Sequence, residues 1–209
     1  TDTDIANVPK GQPAVEHKLE TDDIVTVWGP PGTGKTYTMA KIANSYIAQG
    51  KSVLIVSHSN VSVDGVIKQV VKMLGTDKQS ILEDGKILRF GYVRDDELSQ
   101  NPYATSFNYA LSKCDSYARQ LEHLMAKRDE LRAKNQMKSK EYDEVEHKIK
   151  EIRGEIRKEE RKYVERAQVI GTTISRATID PMFEERQFDL VMFDEVSMAY
   201  VPQVIAAAA

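Results

Sequence analysis

Apolar residues change their spacing twice along the chain, and each change marks a part with a different architecture. Up to about Glu20 the sequence is polar and proline-punctuated, with a short helix expected over residues 14–19. Residues 24–28 then form an apolar run, Ile-Val-Thr-Val-Trp, that reads as a buried strand. Met39, Ile42, Ala43, Tyr46 and Ile47 recur at helical spacing and predict a helix over residues 34–49, closed by Gly50. A second buried strand follows over residues 52–57. Residues 61–74 carry Val63, Val66, Ile67, Val70, Val71 and Leu74 on one helical face, ending at Gly75. Residues 87–90 read as a third strand. Continuous apolar strands alternating with helices predict an α/β fold, a parallel sheet covered by helices on both faces.

From about residue 106 to 166 the rhythm is different: proline is absent, glycine occurs only at Gly154, and charges of both signs alternate densely. Two runs show apolar positions three and four apart, as a coiled-coil seam requires. The first is Cys114, Tyr117, Leu121, Leu124 and Leu131; the second is Tyr142, Val145, Ile149, Ile152, Ile156 and Tyr163. Residues 135–140 between them lose the beat. Strand-like residues resume at 168–171 and 190–193, so the chain must go out and come back to one sheet. The expectation is an inserted antiparallel helical hairpin over residues 101–167, with its tip near 136–140. Arms of about 25 residues at 1.5 Å rise would project roughly 35–40 Å. Residues 1–100 and 168–209 then make up the α/β part.

The candidate chemistry lies at two junctions of that part. Gly29-Pro-Pro-Gly-Thr-Gly-Lys-Thr36 follows one predicted strand and opens a helix. Glycines there let backbone N–H groups converge on phosphate oxygens, and the helix N-terminus favours anions. This pattern marks a nucleoside triphosphate site. Phe188-Asp-Leu-Val-Met-Phe193 is followed by Asp194 and Glu195, which places both carboxylates at the carboxyl end of a strand, where open α/β sheets bind ligands. One acid there can hold Mg²⁺ with Thr36; the other can orient or deprotonate an attacking water.

Composition adds limits rather than chemistry. A net charge of −3 does not mark a nucleic-acid binder and does not exclude a basic stripe on one face. The single cysteine, Cys114, excludes an internal disulfide or a cysteine-cluster metal site, and it reads as a small apolar residue in a reducing compartment. With no run of about 18 apolar residues, no membrane span is expected, and the location expected is intracellular, cytoplasmic or nuclear. The ends fall just before one motif and just after another, so the chain is expected to be part of a longer protein.

With both nucleotide motifs in place, the chain resembles the first RecA-like domain of a superfamily-1 helicase of the Upf-like group. The resemblance rests on Gly29–Thr36, Ser57-His-Ser-Asn-Val-Ser-Val-Asp64, Leu88-Arg-Phe-Gly91, Val169-Ile-Gly-Thr-Thr173 and Asp194-Glu-Val-Ser197, in the family's order. Departures are mild: His58 stands where the family often has proline, and Val196 where it often has alanine. The resemblance implies ATP and Mg²⁺ as cofactors. ATP would be cradled by Gly29, Pro30, Pro31, Gly32, Thr33, Gly34, Lys35, Thr36 and Tyr37, with Lys35 on the β and γ phosphates. It also implies Thr36 and Asp194 on the metal, and Glu195 as catalytic base. Gln12 lies where the family's adenine-reading glutamine would be, although as a bare residue it reads better as an ordinary surface residue. Ser59, Asn60, Thr172 and Thr173 match segments that touch the nucleic-acid backbone; helix capping by Ser59 or Asn60 is a second reading of the same residues.

The implied partners are single-stranded DNA or RNA and a second RecA-like domain whose arginines would complete the site, with movement 5′ to 3′. Without that domain the chain alone is expected to bind ATP weakly and hydrolyse it slowly. Lys134, Lys138 and Lys140 near the hairpin tip fit either an arm for a protein partner or strand, or a solvated helical face. Trp28 fits core packing better than base stacking. The rival from another class is an ATP-gated coiled-coil structural or switch protein of the chromosome-maintenance type. No Leu-Ser-Gly-Gly-like signature precedes Asp194, which counts against it.

Overall fold

Five consecutive residues, Val53–Ser57, are all buried and form strand β1, the inner strand on which the sheet is built. In a computed structural model describing residues 12–30 and 32–208, β1 pairs in parallel with β3 (Val169–Thr173) and β4 (Leu190–Asp194), and β2 (Ile87–Arg89) pairs with β3, giving the order β2-β3-β1-β4. Alternate residues of each strand feed opposite faces, as the pleat dictates. Val53, Ile55, Ile87 and Val169 pack with helices α2 (Lys35–Ala48) and α3 (Asn60–Lys72). Leu54, Val56, Leu88 and Ile170 face the other way, toward α6 (Ser106–Ser112), α8 (Lys140–Val164) and α9 (Ile174–Ile179). The expected α/β class, with a parallel sheet between helices, is what the chain forms.

Local chemistry sets the helix ends. Gly34, left-handed at φ 85°, leads into α2, and Gly50 at φ 73° follows it. Ser59 caps α3, its hydroxyl accepting from the Ser62 N–H. Gly171 has a different reason to be glycine. A Cβ there would overlap the Ile67 side chain of α3 and lie 3.1 Å from Val63, so helix and sheet touch through the missing side chain. Gly171→Ala is therefore expected to cost about 1–3 kcal/mol by overpacking, read as a lower denaturant midpoint at unchanged m-value.

Beyond α4 (Lys78–Glu83) and α5 (Asp96–Gln100), two long helices leave the sheet. They are α7 (Asp115–Ala133, 19 residues) and α8 (25 residues), separated by residues 134–139. They share an apolar cluster of Leu121, Leu131, Val145, Ile149 and Ile156, with Tyr117, Leu124, Tyr142 and Ile152 at its margins. Lys127–Glu141 at 2.6 Å and Arg132–Glu146 at 3.6 Å link them outside that seam. The first of the pair is shorter than the sequence pattern suggests, because α6 is a separate helix; Cys114 sits at the N-cap of α7 rather than in the shared cluster.

One expectation fails. Residues 24–28 belong to no strand; they run extended between α1 (Gln12–Thr21) and the loop, with Ile24 and Trp28 exposed at 86% and 88%. Apolar, β-branched sequence favours extended backbone, but a strand exists only where a neighbour completes the ladder of hydrogen bonds, and none of the described residues does so here. Trp28 is consequently not a core residue. Among the described residues no helix is long and apolar enough to cross a membrane.

Candidate functional site

The glycine-rich loop folds onto its own polar groups. The Thr33 hydroxyl donates to the Pro30 carbonyl at 2.8 Å, and the Lys35 ammonium donates to the carbonyls of Gly29 (2.5 Å) and Pro30 (3.0 Å). Gly32 and Gly34 both have left-handed φ, 81° and 85°, which turns successive N–H groups toward one side. Gly29 has no room for a Cβ, which would come 2.5 Å from the Thr33 hydroxyl. Lys35 is the first residue of α2, and Thr36 and Tyr37 stand exposed in its first turn. No side chain caps α2 at Gly34, so its leading N–H groups are available to an anion. Pro31 lies outside the described residues. Gln12 opens α1, and its side chain also lies outside them.

The sheet register brings the acidic pair to the same end. Ser57, Thr173 and Asp194 are aligned across β1, β3 and β4, so the last residues of three strands form one row. Burial raises the Asp194 pKa; the neighbouring Glu195 charge raises it further, while Lys35 pulls it down. A half-buried carboxylate beside a like charge suits a cation. Among the described residues there is no group of three or more His, Cys, Asp or Glu arranged for a metal. Thr36 and Asp194 each carry a hard oxygen of the kind Mg²⁺ takes, an ion that needs few protein ligands and completes its shell with phosphate and water. Glu195 leaves the strand in a left-handed conformation, φ 54°, uncommon for a side chain of its size. Its carboxylate accepts from the Ser62 hydroxyl at 2.9 Å, across 133 residues of sequence.

Beside this row lies a cleft of about 540 Å³, lined by Asn60, Arg89, Tyr92, Arg161, Thr173 and Arg176 among others. Arg89 is wholly buried beneath it and fully engaged. Its Nε donates to Asp64 at 2.6 Å, Nη2 donates to Asn60 Oδ1 at 2.9 Å and to the Tyr92 carbonyl at 2.7 Å. The other Asp64 oxygen accepts from the N–H groups of Arg94 (2.6 Å) and Asp95 (3.1 Å). Burial lowers the Arg89 pKa and Asp64 opposes the shift. Arg176 stacks over Phe90 with its guanidinium 4.4 Å from the ring centre, and Asp180 lies 3.4 Å from Arg161 and 3.9 Å from Arg176.

The four residues expected to touch a strand divide here. Ser59 and Asn60 begin α3 at the rim, both half-buried, and Thr173 caps α9 by accepting from the Arg176 N–H. Capping and surface access coexist in Ser59 and Thr173. Thr172 is a correction: its side chain is fully buried with no hydrogen-bond partner, because β3 is covered on both faces up to its last residue. Sequence reasoning passed over Ser62, the Asp64–Arg89 pair and Arg176. A signal for the pair existed: an arginine inside Ile87-Leu-Arg-Phe90 and an aspartate on the apolar face of residues 61–74 are each too costly to bury alone. Nothing in the sequence marks Ser62.

Comparison with known proteins places the chain among its relatives. The profile of the AAA domain family matches residues 10–208. The chain is 26% identical over 200 residues to DNA-binding protein SMUBP-2 of Mesocricetus auratus, covering 91% of this chain and 19% of that protein. It is 25% identical over 199 residues to DNA polymerase alpha-associated DNA helicase A of Saccharomyces cerevisiae, covering 87% of this chain and 27% of that one. It is 29% identical over 181 residues to the putative regulator of nonsense transcripts 1 of Takifugu rubripes, covering 86% and 14%. The chain therefore spans roughly a seventh to a quarter of the length of these relatives.

Proposed function

The chain belongs to the AAA domain family and, within it, to the Upf-like group of superfamily-1 helicases; from that premise we propose that it is the ATP-binding part of a motor that hydrolyses Mg-ATP to move along single-stranded DNA or RNA. In this reading residues 1–100 and 168–209 form the RecA-like unit, and residues 101–167 form an inserted antiparallel coiled-coil arm. Lys35 leaves the Gly29 and Pro30 carbonyls for the β and γ phosphates, which outcompete neutral acceptors for an ammonium group. Gly29 to Tyr37 surround the phosphates and Gln12 meets the adenine. Thr36 and Asp194 would hold Mg²⁺, which would supply positive charge to the transferring phosphoryl group, and Glu195 would take a proton from the attacking water. A second RecA-like domain in the full-length protein closes the site.

The observation that carries the reading is the shared row: Asp194, which opens the acidic pair, and Thr173, which lines the cleft, end parallel strands at the same end of the sheet. The strand lies along Ser59, Asn60, Thr173 and Arg176, which offer donors to its phosphates without reading bases. Its test is strand affinity across a salt series. Arg176→Ala is expected to weaken binding of an oligo-dT or oligo-U strand equally and to reduce the log–log salt slope by about 0.7, the loss of one phosphate contact on a single strand. An unchanged slope and affinity would remove Arg176 from the strand path.

A further inference from the structure

Ser62 is half-buried in the first turn of α3, and its hydroxyl oxygen sits 2.9 Å from Ser59 Oγ and 2.9 Å from Glu195 Oε2. The direction of each hydrogen bond is fixed by counting hydrogens. An ionised carboxylate only accepts, so Ser62 donates to Glu195. A hydroxyl has one hydrogen, so Ser62 has none left for Ser59, and Ser59 must donate to Ser62. Ser59 meanwhile accepts from the Ser62 N–H at 3.1 Å. The chain of donors runs Ser59 to Ser62 to Glu195.

A phosphate also only accepts. A strand phosphate at Ser59 would therefore take the single Ser59 hydrogen and leave two serine oxygens facing each other with lone pairs only. The contact is restored when Ser62 turns its own hydrogen from Glu195 to Ser59. Both oxygens are already within hydrogen-bond distance, so the exchange rotates one O–H bond, transfers no proton and moves no heavy atom.

We infer that Ser62 is a positioning residue that restrains Glu195 in the absence of a strand and releases it when a strand phosphate engages Ser59, coupling strand contact to ATP hydrolysis. This rests on the reading of Glu195 as catalytic base and Ser59 as a strand contact. The restrained carboxylate has one oxygen committed to Ser62; the released one can accept from water.

The test is the steady-state ATPase rate of the full-length protein with and without saturating oligo-dT or oligo-U. Ser62→Ala removes the hydroxyl but keeps the N–H that Ser59 caps. It is expected to raise the strand-free rate roughly tenfold to 150-fold, the size of one hydrogen bond to a charged group, and to bring the ratio of stimulated to basal rate close to one. Strand affinity stays as in the native protein, and Ser62→Thr, which keeps the hydroxyl, restores the ratio. A merely structural role would lower both rates together and leave the ratio alone. A basal rate that is unchanged or lower in Ser62→Ala, or a ratio that survives, overturns the inference. Glu195→Gln separates the levels: if it is inactive while the Ser62→Ala ratio is native, the relay alone fails; if it turns over normally, the assignment of the base fails and the relay with it.

Discussion

ATP turnover by the full-length protein is expected to fall roughly 10²–10⁴-fold when Glu195 becomes glutamine, with nucleotide affinity retained. Glutamine keeps the volume and an oxygen that can accept from Ser62, so the local geometry at φ 54° survives. What it cannot do is take up a proton. Lys35→Ala is expected to fail differently. Its ammonium is hydrogen-bonded to the loop carbonyls of Gly29 and Pro30, and the phosphates lose that partner in both ground and transition states. Affinity for ATP then drops together with turnover, which a fluorescent-nucleotide titration beside the rate assay resolves. Loss of affinity in Glu195→Gln, or retention of native turnover in either variant, would contradict the assigned roles.

The largest effect on stability is expected from Arg89→Ala. Arg89 and Asp64 have 0% and 2% side-chain exposure and meet at 2.6 Å. Removing the arginine leaves a carboxylate buried between β2 and α3 with two backbone N–H donors but no cation. Breaking a buried pair in this way costs about 3–5 kcal/mol, which lowers the melting temperature on the order of 10 °C for a unit of this size. The control is Arg89→Met with Asp64→Asn, which removes both charges and keeps an acceptor for the Arg94 and Asp95 N–H groups. It is expected to be less destabilised than Arg89→Ala alone. Equal or greater destabilisation of the pair would mean that the other Arg89 donors, to Asn60 and to the Phe90 and Tyr92 carbonyls, outweigh the charge. That outcome would show up in function too, because Arg89 fixes Asn60 at the rim of the cleft.

These two predictions sit at opposite ends of what the sequence makes legible. Lys35, Asp194 and Glu195 stand out as candidates because their chemistry is tied to local spacing: a glycine-rich loop that opens a helix, and an acidic pair after an apolar run. Strand β1 was legible for the same reason, since a run buried on both faces is written as uninterrupted apolar sequence, and β4 is an apolar run of the same kind although only Met192 in it is fully buried. Residues 24–28 carry that same signature and are not a strand, because pairing is a property of neighbours that the run itself does not encode. Thr172 was misread in the opposite sense. The resemblance matches it to a segment that touches the nucleic-acid backbone, whereas its position within a doubly covered strand decides its burial. Only Thr173, one residue later, escapes.

The side chains that join one part of the site to another were the least legible. Ser62 and Glu195 are brought together by the parallel register of β1 and β4, and no local pattern connects them. Arg176 takes its place because α9 starts directly at the end of β3, with Phe90 supplying a ring to lie on. Such contacts depend on strand order, which alternation of helix and strand leaves open.

The central claim is that strand binding and ATP hydrolysis act through one edge of this sheet. It is tested most directly by the ATPase rate of the full-length protein at saturating Mg-ATP, measured with and without saturating oligo-dT or oligo-U. The account predicts stimulation by at least one of the two strands, abolished by Glu195→Gln. Equal rates with and without either strand, from a protein that binds both, would contradict it.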